Sequence, residues 1–417
     1  MRIRSRNDGS FAPCGSLPAH RESTSRLTGL GVAALLMAFT LAACGSTTAT
    51  KSPGATATAS QSASANLSPT PTPSPTATPT PAAGFSSTGS MATARIAATA
   101  TLLKSGLVLI AGGLDGAGRA LATAELFNPA TGTFSATGIM TEARSYPAAV
   151  RLEDGRVLVV GGAGTSAEIY DPESGVFSLT GAMKVARDGA TATLLADGRV
   201  LVVGGSGSTV GVTLSSAEVF DPRSSTFTLT GKMAAGRLGH TATLLKTGNV
   251  LVAGGGSGSS HLSTAELYTP KTGKFTVTGK MYVARSNQTA TLLSNGSVLM
   301  VGGINGTNYN ASAETYNPAK GKFSKTGSMA TSREYQAAAL LADGRVLIVG
   351  GQTKGSKPVG TGEIYNLKTG QFTAAGSMQT ARMYCSAATL QDGQVLVVGG
   401  FSATAGLASA EIFTPQV

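Results

Sequence analysis

The 417-residue chain has no tryptophan, three cysteines and three histidines, and only 13% of its residues are charged. Each scarcity excludes something. Three cysteines cannot staple a disulfide-built fold of this length. Histidines at positions 20, 240 and 261 leave little material for an imidazole metal centre. The formal charge is +11, but five basic and two acidic residues precede Cys44, and the chain from Cys44 onward carries 27 bases against 19 acids. That excess of +8 is spread thinly, with no basic stripe, so no nucleic-acid partner is expected. What the chain does have is 55 glycines and 41% hydrophobic residues, a composition for a sizeable core built from many short strands and tight turns.

The one long apolar run, residues 27–43 (LTGLGVAALLMAFTLAA), follows Arg21 and Arg26 and ends at Leu41-Ala42-Ala43-Cys44-Gly45. It has the length of a secretory h-region rather than a membrane span, and its end resembles the bacterial lipobox. In that family the cysteine becomes the lipidated first residue of the mature protein. Residues 1–43 therefore read as a lipoprotein signal peptide and Cys44 as the lipidation site. Residues 44–84 read as a Ser/Thr/Pro-rich linker, with Lys51 its only charge, too polar to bury a core. Extended at about 3.1 Å per residue, it would reach on the order of 120 Å. The expected location is outside the cytoplasmic membrane, held there by the lipid alone.

Residues 85–417 are one repeat in seven copies. Gly-Gly pairs recur at 112, 161, 204, 254, 302, 350 and 399. A glutamate comes after each, at 125, 168, 218, 266, 314, 363 and 411, always two residues before Phe or Tyr. A Met-x-x-x-Arg unit ends at Arg95, Arg144, Arg187, Arg237, Arg285, Arg333 and Arg382. One copy shows the unit. Ala190 to Leu195, Val200 to Val203, Ser216 to Phe220 and Thr226 to Thr230 read as four strands, with Asp197-Gly198 and Asp221-Pro222 as turns between them. The predicted fold is all-β, a seven-bladed propeller of four-stranded antiparallel blades. The last copy lacks its fourth strand, and an orphan fourth strand begins at Phe85. Pairing the two would close the ring and cover both edges.

The Gly-Gly pattern with two aromatics seven apart (Phe127 and Phe134, Tyr170 and Phe177, and so on) resembles the kelch repeat across residues 85–417. The second aromatic is always Phe here, where many kelch repeats carry Trp. The resemblance implies a fold like the central propeller of galactose oxidase. That family's copper site uses two His, two Tyr and a Cys cross-linked to one Tyr. This chain offers His240, His261 and a Cys385 directly after Tyr384, which does not match, and neither a metal nor another cofactor is expected.

A residue that recurs in every blade is best explained by what every blade needs. The repeated Arg and Glu are expected to be buried partners, because isolated buried charges are so costly. The repeated Met is expected to fill the core. Function belongs to the positions that vary. The 2–3 loops and the 4–1 crossovers share one end of a meander propeller, and their lengths differ from blade to blade, whereas the opposite end carries uniform tight turns. Candidate binding residues on the varied face are Tyr146, Asp188, His240, Asn287, Gln288, Asn308, Tyr309, Glu334, Tyr335, Gln336 and Tyr384. Tyrosine with Asn and Gln suits adaptable recognition of a glycan, a cell-wall component or a protein by a monomeric, surface-anchored module. The alternative is an extracytoplasmic enzyme at the same channel mouth, with Asp188 and Glu334 as candidate paired carboxylates.

Overall fold

The computed structural model describes residues 83–416, apart from Ala163 and Val210; the segments expected to be signal peptide and lipidation site, and nearly all of the expected linker, lie outside the described residues. The described chain forms seven four-stranded antiparallel blades in a ring. Blade 3 runs Thr191–Leu194, Val200–Val203, Ala217–Asp221 and Thr226–Leu229 from the axis outward, close to the sequence-predicted bounds. The second strand of each blade is fully buried, which is why it reads as an unbroken apolar run of Val, Leu and Ile with an occasional Ala or Met rather than an alternating one. Innermost strands touch in chain order, and the last (Ser386–Thr389) touches the first (Thr99–Leu102), so the ring is closed.

Closure is made as expected. Gly84–Ser90 pairs antiparallel with Ser409–Thr414, setting Phe85 opposite Phe413. In six blades two aromatics seven residues apart pack with ring centroids 4.8–5.0 Å apart. The seventh pair is Phe413 with Phe85, at 4.9 Å, its two halves drawn from opposite ends of the propeller. The Phe85 ring also covers Gly362, where a Cβ would lie 2.9 Å from Cζ. The other blades carry alanine at that position.

The repeated charges are buried partners. In blade 4 the Arg237 guanidinium donates to the carbonyls of Gly254 (2.8 Å) and Thr264 (2.9 Å), and to the Thr264 hydroxyl (3.0 Å). It also pairs with Glu266 at 2.9 Å, and the second carboxylate oxygen of Glu266 accepts the Ala234 amide. The same arrangement recurs in all seven blades, with Arg–Glu distances of 2.8–3.3 Å. One planar fork thus ties the crossover, the Gly-Gly turn and the third strand together, a geometry lysine cannot reproduce. Breaking one such pair costs about 3–5 kcal/mol, because the remaining charge stays buried. The Ser or Thr two residues before each Glu is part of this clamp, a role its place in the sequence does not announce.

Neighbouring blades are also stitched through the first aromatic. The hydroxyls of Tyr170, Tyr268, Tyr316 and Tyr365 lie 2.8–3.0 Å from Thr137, Thr230, Thr278 and Thr326 of the preceding blade. Blade 3 has Phe220 there, and the Thr180 hydroxyl at the matching position is buried without a partner. Phe220→Tyr should therefore stabilise the protein by about 1 kcal/mol. Urea unfolding measures it, and an unchanged or lowered midpoint would show that the slot has no room for the oxygen.

The 2–3 loops differ from the sequence expectation in one respect. In blades 4, 5 and 6 they are two-stranded ribbons rather than plain loops. The pairs are Gly256–Ser257 with Ser260–His261, Ile304–Asn305 with Asn308–Tyr309, and Gln352–Thr353 with Lys357–Pro358. Residues of the adjoining crossovers (Leu238, Ser286 and Glu334) bridge to the start of each ribbon and extend the pairing above the blade. A pattern of two-residue strands is too short to register as period-2 alternation.

Candidate functional site at the channel mouth

The position two after each repeated Arg has the same backbone in every blade. Ala97, Tyr146, Gly189, Gly239, Asn287, Tyr335 and Tyr384 all lie in the left-handed region, with φ between 42° and 63°. The amides of Asn287, Tyr335, Tyr384 and Ala97 each donate to the carbonyl of the same position one blade earlier, at 2.8–3.2 Å. These four bonds link five successive blades into a belt along part of the mouth. Glycine and asparagine suit it, whereas tyrosine costs on the order of 1 kcal/mol there. Three tyrosines nonetheless occupy it. Tyr335 and Tyr384 stack with centroids 4.0 Å apart, and Tyr146 meets Tyr384 edge-on at 6.3 Å.

The glycine sector of the belt opens a cavity of about 340 Å³. Tyr146, Tyr335 and Asn287 bound it on one side, and the long 2–3 loop of blade 3 (Ser206, Val212 and Thr213) on the other. Asp188 and Leu238 complete the wall. Loop length was the sequence signal for this wall; Gly189 and Gly239 had no signal of their own.

Two carboxylates sit at the mouth in different hydrogen-bond surroundings. Glu334 is buried and accepts from Asn287 Nδ2 (2.9 Å) and Gln352 Nε2 (2.8 Å). Burial raises its pKa, and these two bonds offset that in part. Asp188 accepts a long bond from the Ser145 hydroxyl (3.4 Å), and its Oδ1 is buried without a hydrogen-bond partner. Burial raises its pKa too, opposed by Ser145 and the Gly189 amide. Tyr309 lies close enough to Glu334 for the carboxylate's charge to add to burial in raising the phenol's pKa.

The structure thus brings Tyr146, Asp188, Asn287 and Tyr335 to one cavity, with Tyr384 stacked on Tyr335, and Glu334 and Tyr309 behind Asn287. Asn308 lies exposed at the tip of its ribbon. His240, Gln288 and Gln336, three after the Arg, are buried beneath the Gly-Gly turn of the preceding blade rather than displayed on the face. Gln288 and Gln336 donate to the carbonyls of Ala253 and Val301, both at 2.9 Å. A Cβ on Gly204 would lie 2.5 Å from His240 Cε1, so the glycine makes room for the imidazole. Cys385 takes the same position against Gly350, and burial pushes its thiol up to about 11, away from the thiolate form.

The kelch motif family model matches residues 191–234 and 335–379. No curated protein matches the sequence. Among solved structures, a fungal alcohol oxidase of the AA5 family, determined in complex with copper, is similar with a TM-score of 0.68 and 19% identity. The likeness covers 80% of this chain and 76% of that one, and at this identity it concerns the fold. The residues here do not suit a copper centre. Among the described residues no three His, Cys, Asp or Glu side chains gather as a metal set. His240 is engaged with Thr191 and His261 with Ser286. The chain is a seven-bladed β-propeller carrying kelch motifs.

Proposed function

We propose that the chain is a binding module that recognises a glycan or a protein at the channel mouth. The retained strain at Tyr146, Tyr335 and Tyr384 carries this reading. The same backbone position is glycine in two blades, so the fold itself has no need of a ring there. Strained side chains gathered beside a cavity are a mark of sites kept for something other than stability. The kelch motifs support an interaction role over catalysis. A thermal-shift screen of the purified chain against glycans, cell-wall fragments and peptides tests it, alongside Tyr335→Ala and Tyr384→Ala. The expected result is a ligand that raises the melting temperature of the wild type and not of the variants. If the variants respond equally, recognition lies elsewhere.

The second half of the proposal is display. With Cys44 lipidated, the propeller would stand off the outer side of the membrane on the residue 44–84 linker. The lipobox resemblance supports this. Incorporation of a labelled fatty acid should be lost in Cys44→Ser, and an equal signal in the variant would remove the anchor.

A further inference from the structure

The cavity has a single charged group. Among its described lining residues Asp188 is the only charged one, in a protein whose formal charge is +11. Of the other described aspartates, Asp115, Asp154, Asp197 and Asp343 each face an arginine at 2.5–2.8 Å, and Asp171, Asp221 and Asp392 each accept a backbone amide at 2.9–3.0 Å. Asp188 faces no arginine, and one of its oxygens lacks a hydrogen-bond partner.

Asn287 lines the cavity next to Gly239, with its Nδ2 donating to Glu334 at 2.9 Å and its Oδ1 over Gly239. The anionic Asp188 thus shares the cavity wall with Tyr146 and Tyr335, and the faces of such rings favour cations. A cavity of about 340 Å³ lies at the small end of ligand pockets and fits one sugar-sized molecule.

We propose that this cavity binds a small ligand through a primary ammonium group, held by Asp188 and flanked by Tyr146 and Tyr335. The inference rests on the channel-mouth reading and names the ligand chemistry within it. An amino sugar and an alkyl diamine share that chemistry, and the experiment separates them.

Calorimetric titration of the full chain with glucosamine, N-acetylglucosamine and cadaverine provides the test. Glucosamine should bind at least ten-fold more tightly than its N-acetyl form, which keeps the ring and loses the charge. Cadaverine binding as well as glucosamine would place recognition in the ammonium alone; cadaverine failing while glucosamine binds would add the sugar ring. Asp188→Asn preserves size and the Ser145 contact, and should weaken glucosamine at least ten-fold. Tyr146→Ala, removing a ring rather than a charge, should weaken glucosamine too. Equal binding of glucosamine and N-acetylglucosamine, an unaffected Asp188→Asn, or no binding of either amine overturns the inference. If the amines fail while a neutral glycan or peptide still binds in a Tyr335-dependent way, only the ammonium assignment falls. If no ligand depends on Tyr335 or Tyr384, the channel-mouth reading falls with it.

Discussion

Deleting residues 84–90 is expected to lower the melting temperature by roughly 10 °C or more and to blunt the cooperativity of unfolding. The segment supplies the outer strand of the last blade, where five residue pairs join it to Ser409–Thr414. Without it the Phe413 ring loses its partner, Gly362 is uncovered, and a long strand edge opens to solvent. Phe85→Ala isolates the side chain and should cost about 3 kcal/mol, the lower end for a buried phenylalanine because this ring is only partly covered. A synthetic peptide of residues 83–91 added to the truncated chain should recover part of the lost melting temperature. Differential scanning calorimetry reads all three. A truncated chain that melts like the wild type would mean the ring holds without this strand.

A second large effect is a loss of stability in acid that traces to His240. The imidazole is buried, with Nε2 3.0 Å from the Thr191 hydroxyl and Nδ1 without a partner. Burial, with the nearby Arg237 and Arg187 cations adding to it, lowers its pKa from 6.5 to about 3. The folded state therefore refuses a proton that the unfolded state accepts. His240 costs nothing above pH 6.5, and its penalty grows as the pH falls toward 3, by about 1.4 kcal/mol per unit. At pH 4.5 it should reach roughly 2–3 kcal/mol. Asp188 and Glu334, with raised pKa values, act in the opposite sense, since protonation relieves their burial. His240→Gln separates the contributions. Gln288 and Gln336 fill the same position in the next two blades, so the variant should fold, and it leaves both carboxylates in place. Urea unfolding at pH 7 and pH 4.5 should show wild type and variant diverging by that 2–3 kcal/mol. Parallel pH profiles would show that His240 can take up its proton in the folded state.

Both effects arise where the repeat is broken, and this marks how far the sequence could be read. The repeated residues were legible because their period is the period of the blade. Seven Arg–Glu pairs could be predicted as buried partners, since a charge that recurs once per blade must either be exposed every time or paired every time. The missing fourth strand and the orphan strand at Phe85 were legible by the same counting. The clamp hydroxyls (Thr123, Ser166 and their counterparts) recur just as faithfully, but Ser and Thr are too common on strands to stand out.

The variable positions behaved differently. His240, Gln288 and Gln336 look, in sequence, like neighbours of Tyr335 on a binding face, yet they turn under the Gly-Gly bend of the adjacent blade. One residue along the chain separates a ring at the mouth from an amide in the interior, because the left-handed residue at the mouth reverses the direction of the backbone. Sequence by itself determined the seven blades, their Arg–Glu pairs and the seam that closes them, since those depend on local period and on the cost of burying charge. The left-handed residues at the mouth, the cavity beside their glycines and the carboxylate of Asp188 without an ion pair were decided only by the closed ring, which brings one such residue from each of seven blades to the same end of the channel.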